Sequence, residues 1–398
     1  MNDHVLSLNS GSSSIKFALY TAASEPRRVL HGLISGLGAS PGFCAYSASG
    51  QPMSAPGCGF DGDRALTHQT ALARLFEWLA TSGGGGRVLA AGHRVVHGGK
   101  RFAEPMRIDA GILAQLEELV PMAPLHQQHD LAAVRTLMTL RPELPQVTCF
   151  DTAFHRTMPA LARAFALPRE MTAAGIRRYG FHGLSYEYIA GVLPEYLGPR
   201  ADGRVVVAHL GNGASMCAMQ TRRSIATTMG LTALDGLWMG TRSGAIDPGV
   251  LFYLMREQSM SPDEVENLLY RRSGLLGVSG ISSDMRELLA SQDPRAREAV
   301  ELFAYRAARE LGSLAAALGG LDALVFTAGI GESAAPVRAM ICELARWVGV
   351  ELDAAANDYH RAVISSAASR VAVCVVPTDE EIVIARHTCR VLGIGRPG

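Results

Sequence analysis

Two stretches of the chain set mainly apolar runs on either side of a short break of glycine, serine and asparagine. Residues 5–9 and 15–20 flank Ser10-Gly11-Ser12-Ser13-Ser14, and residues 205–210 and 216–219 flank Gly211-Asn212-Gly213-Ala214-Ser215. Each reads as strand, tight turn and returning strand. Their separation of about 200 residues suggests an internal duplication in which each half opens with the same device. Short apolar runs at 88–96, 146–150, 321–326 and 371–376 predict further strands. Spacing of three and four predicts helices over 66–79, 112–120 and 186–193. A long helix is expected after Asp293-Pro294, with Val300, Phe303, Ala307, Leu311, Leu314 and Leu318 on one face until Gly319-Gly320 stops it. A last helix is expected from Ile382. Residues 36–63, rich in Gly, Pro and Ser, are expected to form loop and irregular strands, and 83–86 a flexible connector. Residues 227–244 are too broken by glycine for a regular helix and too apolar for a solvated loop, a combination that suits the lining of a cleft.

Strands interleaved with helices over 398 residues predict an α/β protein of two domains. Lys plus Arg and Asp plus Glu are both 37, so no basic field argues for nucleic acid or an anionic membrane. The seven cysteines lie far apart without CxxC spacing, so neither a disulfide framework nor a zinc site is indicated. The amino-terminal residues lack a signal-peptide pattern and no run is long and apolar enough for a membrane span, which predicts a soluble, cytoplasmic protein.

The chemistry clusters at the ends of predicted strands. In the first hairpin, Gly11 allows close backbone approach and successive N–H groups make an anion nest, with Lys16 in reach; the alternative is an ordinary hairpin with a polar turn. Arg94, beside Gly98-Gly99, suits an anionic ligand or a surface ion pair. His93 and His97 lie four apart in strand-like sequence, which argues against a metal pair. Asp151 ends the strand at 146–150, where ligands of α/β sheets bind, and also fits a helix N-cap. His182, between Phe181 and Gly183, reads as a donor to a ligand oxygen or as a core histidine. Arg242 is the cation of the glycine-broken segment. The run Gly329-Ile330-Gly331-Glu332-Ser333 is expected as a glycine turn approaching a nucleotide, and Asp379-Glu380-Glu381 as a source of a magnesium ligand. No GxxxxGK[ST] occurs, and Gly393-Ile394-Gly395-Arg396-Pro397-Gly398 has no helix after it to make a dinucleotide fingerprint.

Glycine-rich strand turns, a lysine, an acidic pair and two isolated arginines ask for a nucleoside triphosphate held without a P-loop. A hydroxyl acceptor would require a base, for which Asp151 is available. A carboxylate acceptor is already ionised and requires cations, which Arg94 and Arg242 supply.

The motifs resemble those of the acetate kinase family, a group within the superfamily of sugar kinases, actin and chaperone ATPases. They are Asn9-Ser10-Gly11-Ser12-Ser13-Ser14-Ile15-Lys16, His93-Arg94-Val95-Val96-His97-Gly98-Gly99, Phe150-Asp151-Thr152-Ala153-Phe154-His155, Arg178-Tyr179-Gly180-Phe181-His182-Gly183, His209-Leu210-Gly211-Asn212-Gly213, Gly240-Thr241-Arg242-Ser243-Gly244, Gly329-Ile330-Gly331-Glu332 and Pro377-Thr378-Asp379-Glu380-Glu381. They span the chain in order. The resemblance implies two duplicated actin-like (ribonuclease H-like) domains flanking a nucleotide cleft, with residues 1–152 plus 382–398 as one domain and 153–381 as the other, and a homodimer.

The activity the resemblance implies is reversible, in-line transfer of the ATP γ-phosphoryl to acetate with no phosphoenzyme. Propionate kinase is the near alternative, a sugar kinase a more distant one, and a non-enzymatic actin-like or chaperone-type ATPase the alternative of another class. By the same resemblance Asn9 and Glu380 organise Mg2+, or Mn2+ in its place, and Ser12, Ser14 and Lys16 contact phosphate. Arg94, Arg242 and His182 act on the carboxylate and the moving phosphoryl, and Asp151 is an essential acid that orients on chemical grounds. His209, Leu210, Gly211, Asn212 and Gly213, with Asp284, Met285 and Arg286 and with Gly329, Ile330, Gly331, Glu332 and Ser333, hold ATP or ADP. Val96, Leu125 and Phe181 match the apolar acyl pocket. The chain departs from the family at Ala233, where proline is usual, at Ala245, where an acid is usual, and at Gln127, where asparagine is usual. Loss of bulk at Ala233 predicts easier entry of propionate, worth about 1–3 kcal/mol per methylene at most.

Overall fold

The structure, a computed structural model, describes residues 3–11, 13–55, 60, 63, 66–82, 86–123 and 126–395. It divides into two compact units, Met1–Ala153 with Asp379–Gly398, and Phe154–Thr378. No helix among the described residues is long and apolar enough to cross a membrane.

In the first unit the opening hairpin forms as expected, with β1 (His4–Ser10) antiparallel to β2 (Ile15–Thr21) and Asn9 opposite Lys16. It is followed by β3 (Arg28–Ser35), β4 (Gly42–Ser47), β5 (Pro52–Met53), β6 (Val88–Val95), β7 (Met106–Arg107) and β8 (Gln146–Phe150). These make one sheet of order β5-β4-β3-β2-β1-β6-β8-β7. The β1–β6 and β6–β8 pairs are parallel. The helices His68–Ser82 and Gln127–Leu140 pack against the sheet with Leu72, Leu75, Trp78 and Leu137 fully buried. The carboxy-terminal helix Glu380–Leu392 lies on β1, β6 and β8. Its approach explains Gly92, where any Cβ would collide with the side chains of Thr388 and Ile384.

The second unit repeats the plan. β9 (Arg204–Leu210) turns back into β10 (Ala214–Gln220), β11 (Arg223–Thr227) extends that edge, and β12 (Ala323–Thr327) and β13 (Ala372–Val375) add parallel strands in the order β11-β10-β9-β12-β13. Five strands of the first sheet, β3-β2-β1-β6-β8, have the same succession of two antiparallel and two parallel pairings. The duplication inferred from two weakly similar hairpins is thus a repeat of whole-sheet topology.

Local chemistry accounts for the elements. The long helix Pro294–Leu318 starts at Asp293, whose side chain accepts from the Arg295 amide, and stops at Gly319 in the left-handed region at φ 71°. Four helices, Pro248–Glu257, Pro262–Arg271, Gly274–Ser279 and Met285–Ala290, fill a stretch for which the apolar pattern gives no expectation. The expected glycine turn after β12 is instead the short helix Ala328–Ser333. Glu332 Oε1 accepts from the Ala328 amide at its start (2.8 Å), and the fully buried Arg338 donates to the Gly331 and Glu332 carbonyls at its end (2.9 and 2.8 Å). These bonds outweigh the weak helix preference of glycine.

Candidate active site

Arg94 projects from the carboxyl half of β6 and Asp151 follows the adjacent parallel strand β8. The strand ends therefore present a guanidinium beside a carboxylate, and they form a forked pair. Arg94 Nη2 donates to Asp151 Oδ2 at 2.6 Å, and Nε donates to both carboxylate oxygens at 3.1 and 3.0 Å. The Asp151 side chain is 1 % exposed and that of Arg94 17 %. Burial alone would depress the guanidinium, but Asp151, Asp130 and Glu380 together raise it above its ordinary value. Both Asp151 carboxylate oxygens are thus engaged by Arg94.

Arg94 Nη1 also donates to Asn9 Oδ1 (3.3 Å), and Asn9 Nδ2 donates to Glu380 Oε2 (3.3 Å). The two ends of the chain thus meet at one site. Asp379 is not a ligand here: it caps the last helix through the Ile382 amide (3.1 Å), accepts from Tyr20 (3.2 Å) and pairs with Arg28. Burial pushes the Glu380 carboxyl up to about 7 against the pull of Arg94, and Asp151 and Glu381 push the same way. A carboxylate oxygen and an amide oxygen are hard donors whose chemistry fits Mg2+, which keeps waters and shares its shell with phosphates. Gly11 closes the hairpin tip by donating to the Ser14 carbonyl (2.8 Å), and Lys16 is exposed beside it. Ser12, expected to contact phosphate, and Leu125, expected in the acyl pocket, lie outside the described residues.

Three residues hold the loop after β6, of which Asp130 is one that sequence alone does not single out. Asp130 Oδ2 accepts from the Val96 amide (2.9 Å), Gln127 Oε1 from the His97 amide (3.0 Å) and Thr152 Oγ1 from the Gly98 amide (3.1 Å). Asp130 is 1 % exposed and its Oδ1 has no hydrogen-bond partner among the described residues. Burial pushes its carboxyl from an ordinary 3.8 up to about 8. Between those values the folded protein binds a proton that the unfolded chain does not, so the group's stabilisation is complete below about pH 4 and is lost as pH rises through about 8. Asp130→Asn is expected to flatten the fall in stability over that window. Urea midpoints of both proteins at several pH values check it, and parallel pH curves would overturn it.

In the second unit, His182 stands at the start of the helix Gly183–Leu197 with a left-handed backbone, φ 57°. Its ring stacks on His209 at 4.2 Å between centroids and 23° between planes, and its Nδ1 lies 2.8 Å from Ser215 Oγ. Arg242 Nη1 donates to the Ala233 carbonyl at 3.1 Å. A Cβ placed on Gly213 would lie 3.3 Å from His182 Nε2 and 3.8 Å from Arg242 Nη1, so both nitrogens border the same glycine. Phe181 is 1 % exposed and Ala233 9 %, while Val96, the other described acyl-pocket candidate, is 1 % exposed in the first unit.

A separate cavity of about 460 Å³ in the second unit is lined by Gly211, Asn212, Ser283, Asp284, Met285, Arg286, Leu289, Gly329, Ile330, Ser333 and Ala334. Three sequence segments expected to hold a nucleotide therefore converge. The remaining members of those motifs serve elsewhere. Leu210 is wholly buried in the core, His209 and Gly213 face His182, and Glu332 caps its own helix and accepts from the Thr378 amide (3.2 Å). Asp284 borders the cavity but is held by the Arg286 amide and guanidinium, which lower its carboxyl.

Comparison with known proteins gives consistent findings. The family model described as the acetokinase family matches residues 4–386. An acetate kinase of Rhodopseudomonas palustris is 56 % identical over 404 aligned positions that take in all of both chains. A crystal structure of a propionate kinase from Francisella tularensis superposes with a TM-score of 0.90 at 36 % identity, covering 98 % of this chain and 100 % of the other. A crystal structure of the acetate kinase of Porphyromonas gingivalis gives a TM-score of 0.85 at 37 % identity, with the same coverage.

Proposed function

Because the chain belongs to the acetokinase family, we propose that it transfers the terminal phosphoryl group of ATP reversibly to acetate, giving acetyl phosphate and ADP. The observation that carries this reading is the forked Arg94–Asp151 pair. An alcohol acceptor needs a base to take its proton, and the carboxylate best placed by sequence to be that base is committed to a guanidinium. An acetate acceptor, pKa near that of Glu at about 4.3, arrives ionised and needs cations instead.

Roles follow from that requirement. Arg94, held in orientation by Asp151, receives the acceptor carboxylate. Arg242 and His182 steady the transferring phosphoryl as donors already in place before reaction. Ser12, Ser14 and Lys16 contact phosphates, and the cavity bordered by Asn212 and Ile330 takes the nucleoside. Asn9 and Glu380 hold Mg2+, which when bound neutralises charge on the phosphates. The transfer is direct and in line, without a phosphoenzyme.

Ala233 favours a second reading in which propionate is also used. Its small side chain is carried by the residue whose backbone carbonyl receives Arg242. Acyl phosphate formation, trapped as hydroxamate, across acetate, propionate and butyrate tests both. Carboxylate-dependent turnover supports the function, and nucleotide hydrolysis without it would overturn it. A kcat/KM for propionate within about tenfold of that for acetate would support the relaxed pocket.

A homodimer and a cytoplasmic location complete the proposal. The helix Pro248–Glu257 leaves Val250, Phe252 and Tyr253 37 %, 52 % and 57 % exposed, apolar area that a second copy would cover. Light scattering would then report twice 42.3 kDa.

A further inference from the structure

Tyr186, Ser215 and His182 form a hydrogen-bonded row within the second unit. Tyr186 lies in the first turn of the helix Gly183–Leu197, Ser215 on β10, and His182 at the helix boundary. The Tyr186 hydroxyl is 2.6 Å from Ser215 Oγ, which is 2.8 Å from His182 Nδ1. Tyr186 and Ser215 are fully buried.

The direction of the hydrogens follows from the number of acceptors. Among the described residues Ser215 is the sole hydrogen-bond partner of the Tyr186 hydroxyl. The phenol must therefore donate to Ser215, because the opposite arrangement leaves a phenolic proton buried with no acceptor. Burial also raises Tyr186 well above its ordinary value of 10.0, so the proton stays on the ring oxygen. The single Ser215 proton then goes to its other neighbour, His182 Nδ1. A neutral imidazole that accepts at Nδ1 carries its hydrogen on Nε2, the nitrogen beside Gly213.

We infer that Tyr186 and Ser215 are positioning residues that hold His182 in the Nε2–H tautomer, so that it presents a neutral donor on the side it shares with Arg242. The stack on His209 and the left-handed backbone orient the ring, and the hydroxyl row decides which nitrogen carries hydrogen. The inference rests on the reading of His182 as a phosphoryl donor, and it deepens that reading. It implies that His182 serves without taking a proton from solution.

The test combines ring ¹⁵N spectra of His182 in the whole protein with steady-state kinetics of Tyr186→Phe, Ser215→Ala and the double variant. In the unsubstituted protein above neutral pH, Nδ1 is expected as the unprotonated nitrogen. Each hydroxyl deletion is expected to move the population towards the other tautomer and to lower kcat roughly 10- to 100-fold, with KM for ATP and acetate changing less than about twofold. Because the two hydroxyls act in series, the double variant is expected to be no worse than Ser215→Ala alone. A protonated Nδ1 in the unsubstituted protein, or an unchanged kcat in Ser215→Ala, overturns the inference. If a variant melts early, the spectrum of the unsubstituted protein still decides. Absence of acyl phosphate from acetate would instead overturn the functional reading, while the spectrum would judge the hydroxyl row separately.

Discussion

Replacing Arg242 with alanine is expected to lower kcat by roughly 10³-fold or more, the scale on which a positioned arginine acts in phosphoryl transfer. The size of the effect follows from how firmly the side chain is held. Its segment has no regular secondary structure, yet its backbone is tied down: the Met239 amide donates to the Arg242 carbonyl (3.2 Å), the Ser243 amide to Leu269 (2.9 Å) and the Ser273 amide to Thr241 (3.0 Å). Gly244 and Gly274, at φ 65° and 62°, are hemmed in by backbone atoms of neighbouring residues, so the loop has one course to follow. A guanidinium held this way needs little rearrangement when charge develops, and its loss cannot be made good by solvent. Arg242→Lys is expected to recover little, since an ammonium cannot keep both a carbonyl contact and a fork towards phosphate. The cavity proposed for the nucleotide has a different lining, so KM for ATP is expected to change less than about fivefold. ADP release coupled to a reporter, measured with saturating acetate, checks the prediction, and a loss below about tenfold would count against it.

Asp151→Ala is expected to act on folding as well as on turnover. It leaves Arg94 largely buried with Asn9 as its remaining hydrogen-bond partner among the described residues, and breaking one side of a buried pair costs about 3–5 kcal/mol. Turnover should fall further, by about 10² or more in kcat/KM, because a guanidinium that can rotate no longer fixes the acceptor in line. Asp151→Asn separates orientation from acid–base chemistry. If the carboxylate only orients, the asparagine variant keeps one acceptor for Arg94 and retains the pH profile at lower amplitude. Loss of one limb of the kcat profile in that variant would reassign Asp151 as a proton carrier. Urea unfolding and kinetics over a pH series supply the readings.

What was legible in the chain was whatever a residue settles with its near neighbours. The two hairpins declared themselves through paired apolar runs broken by glycine and serine, and β8 was bounded correctly because all five of its residues are buried. The long helix showed its Asp293 start and Gly319 end. β3 gave no such signal: its burial is irregular, and Gly32 occupies its middle because the Phe17 ring crosses there, leaving no room for a Cβ. The helix at 328–333 was hidden by its glycines, since the bonds from Glu332 and Arg338 that stabilise it come partly from later in the chain. In the site, Arg94, Asp151 and Arg242 stood out as charged residues at strand ends or among glycines. Asp130, Ser215 and Tyr186 did not, because a carboxyl in a helix, a serine in a strand and a tyrosine in a helix acquire meaning only from the partners folding brings to them.

The helix Glu380–Leu392 belongs to the unit that opens the chain, covering β1, β6 and β8, and its Glu380 meets Asn9. A ribosome making this protein therefore releases the second unit's strands and helices while the first sheet still has one apolar face uncovered. Val5, on the same face as Ser7, whose hydroxyl donates to the Glu381 carbonyl, must wait with the rest of that face through some 230 residues of synthesis, about 12–46 s at 5–20 residues per second, before its cover emerges. During that interval the face stays open to solvent, and the Asn9–Glu380 pairing marks the end of the wait.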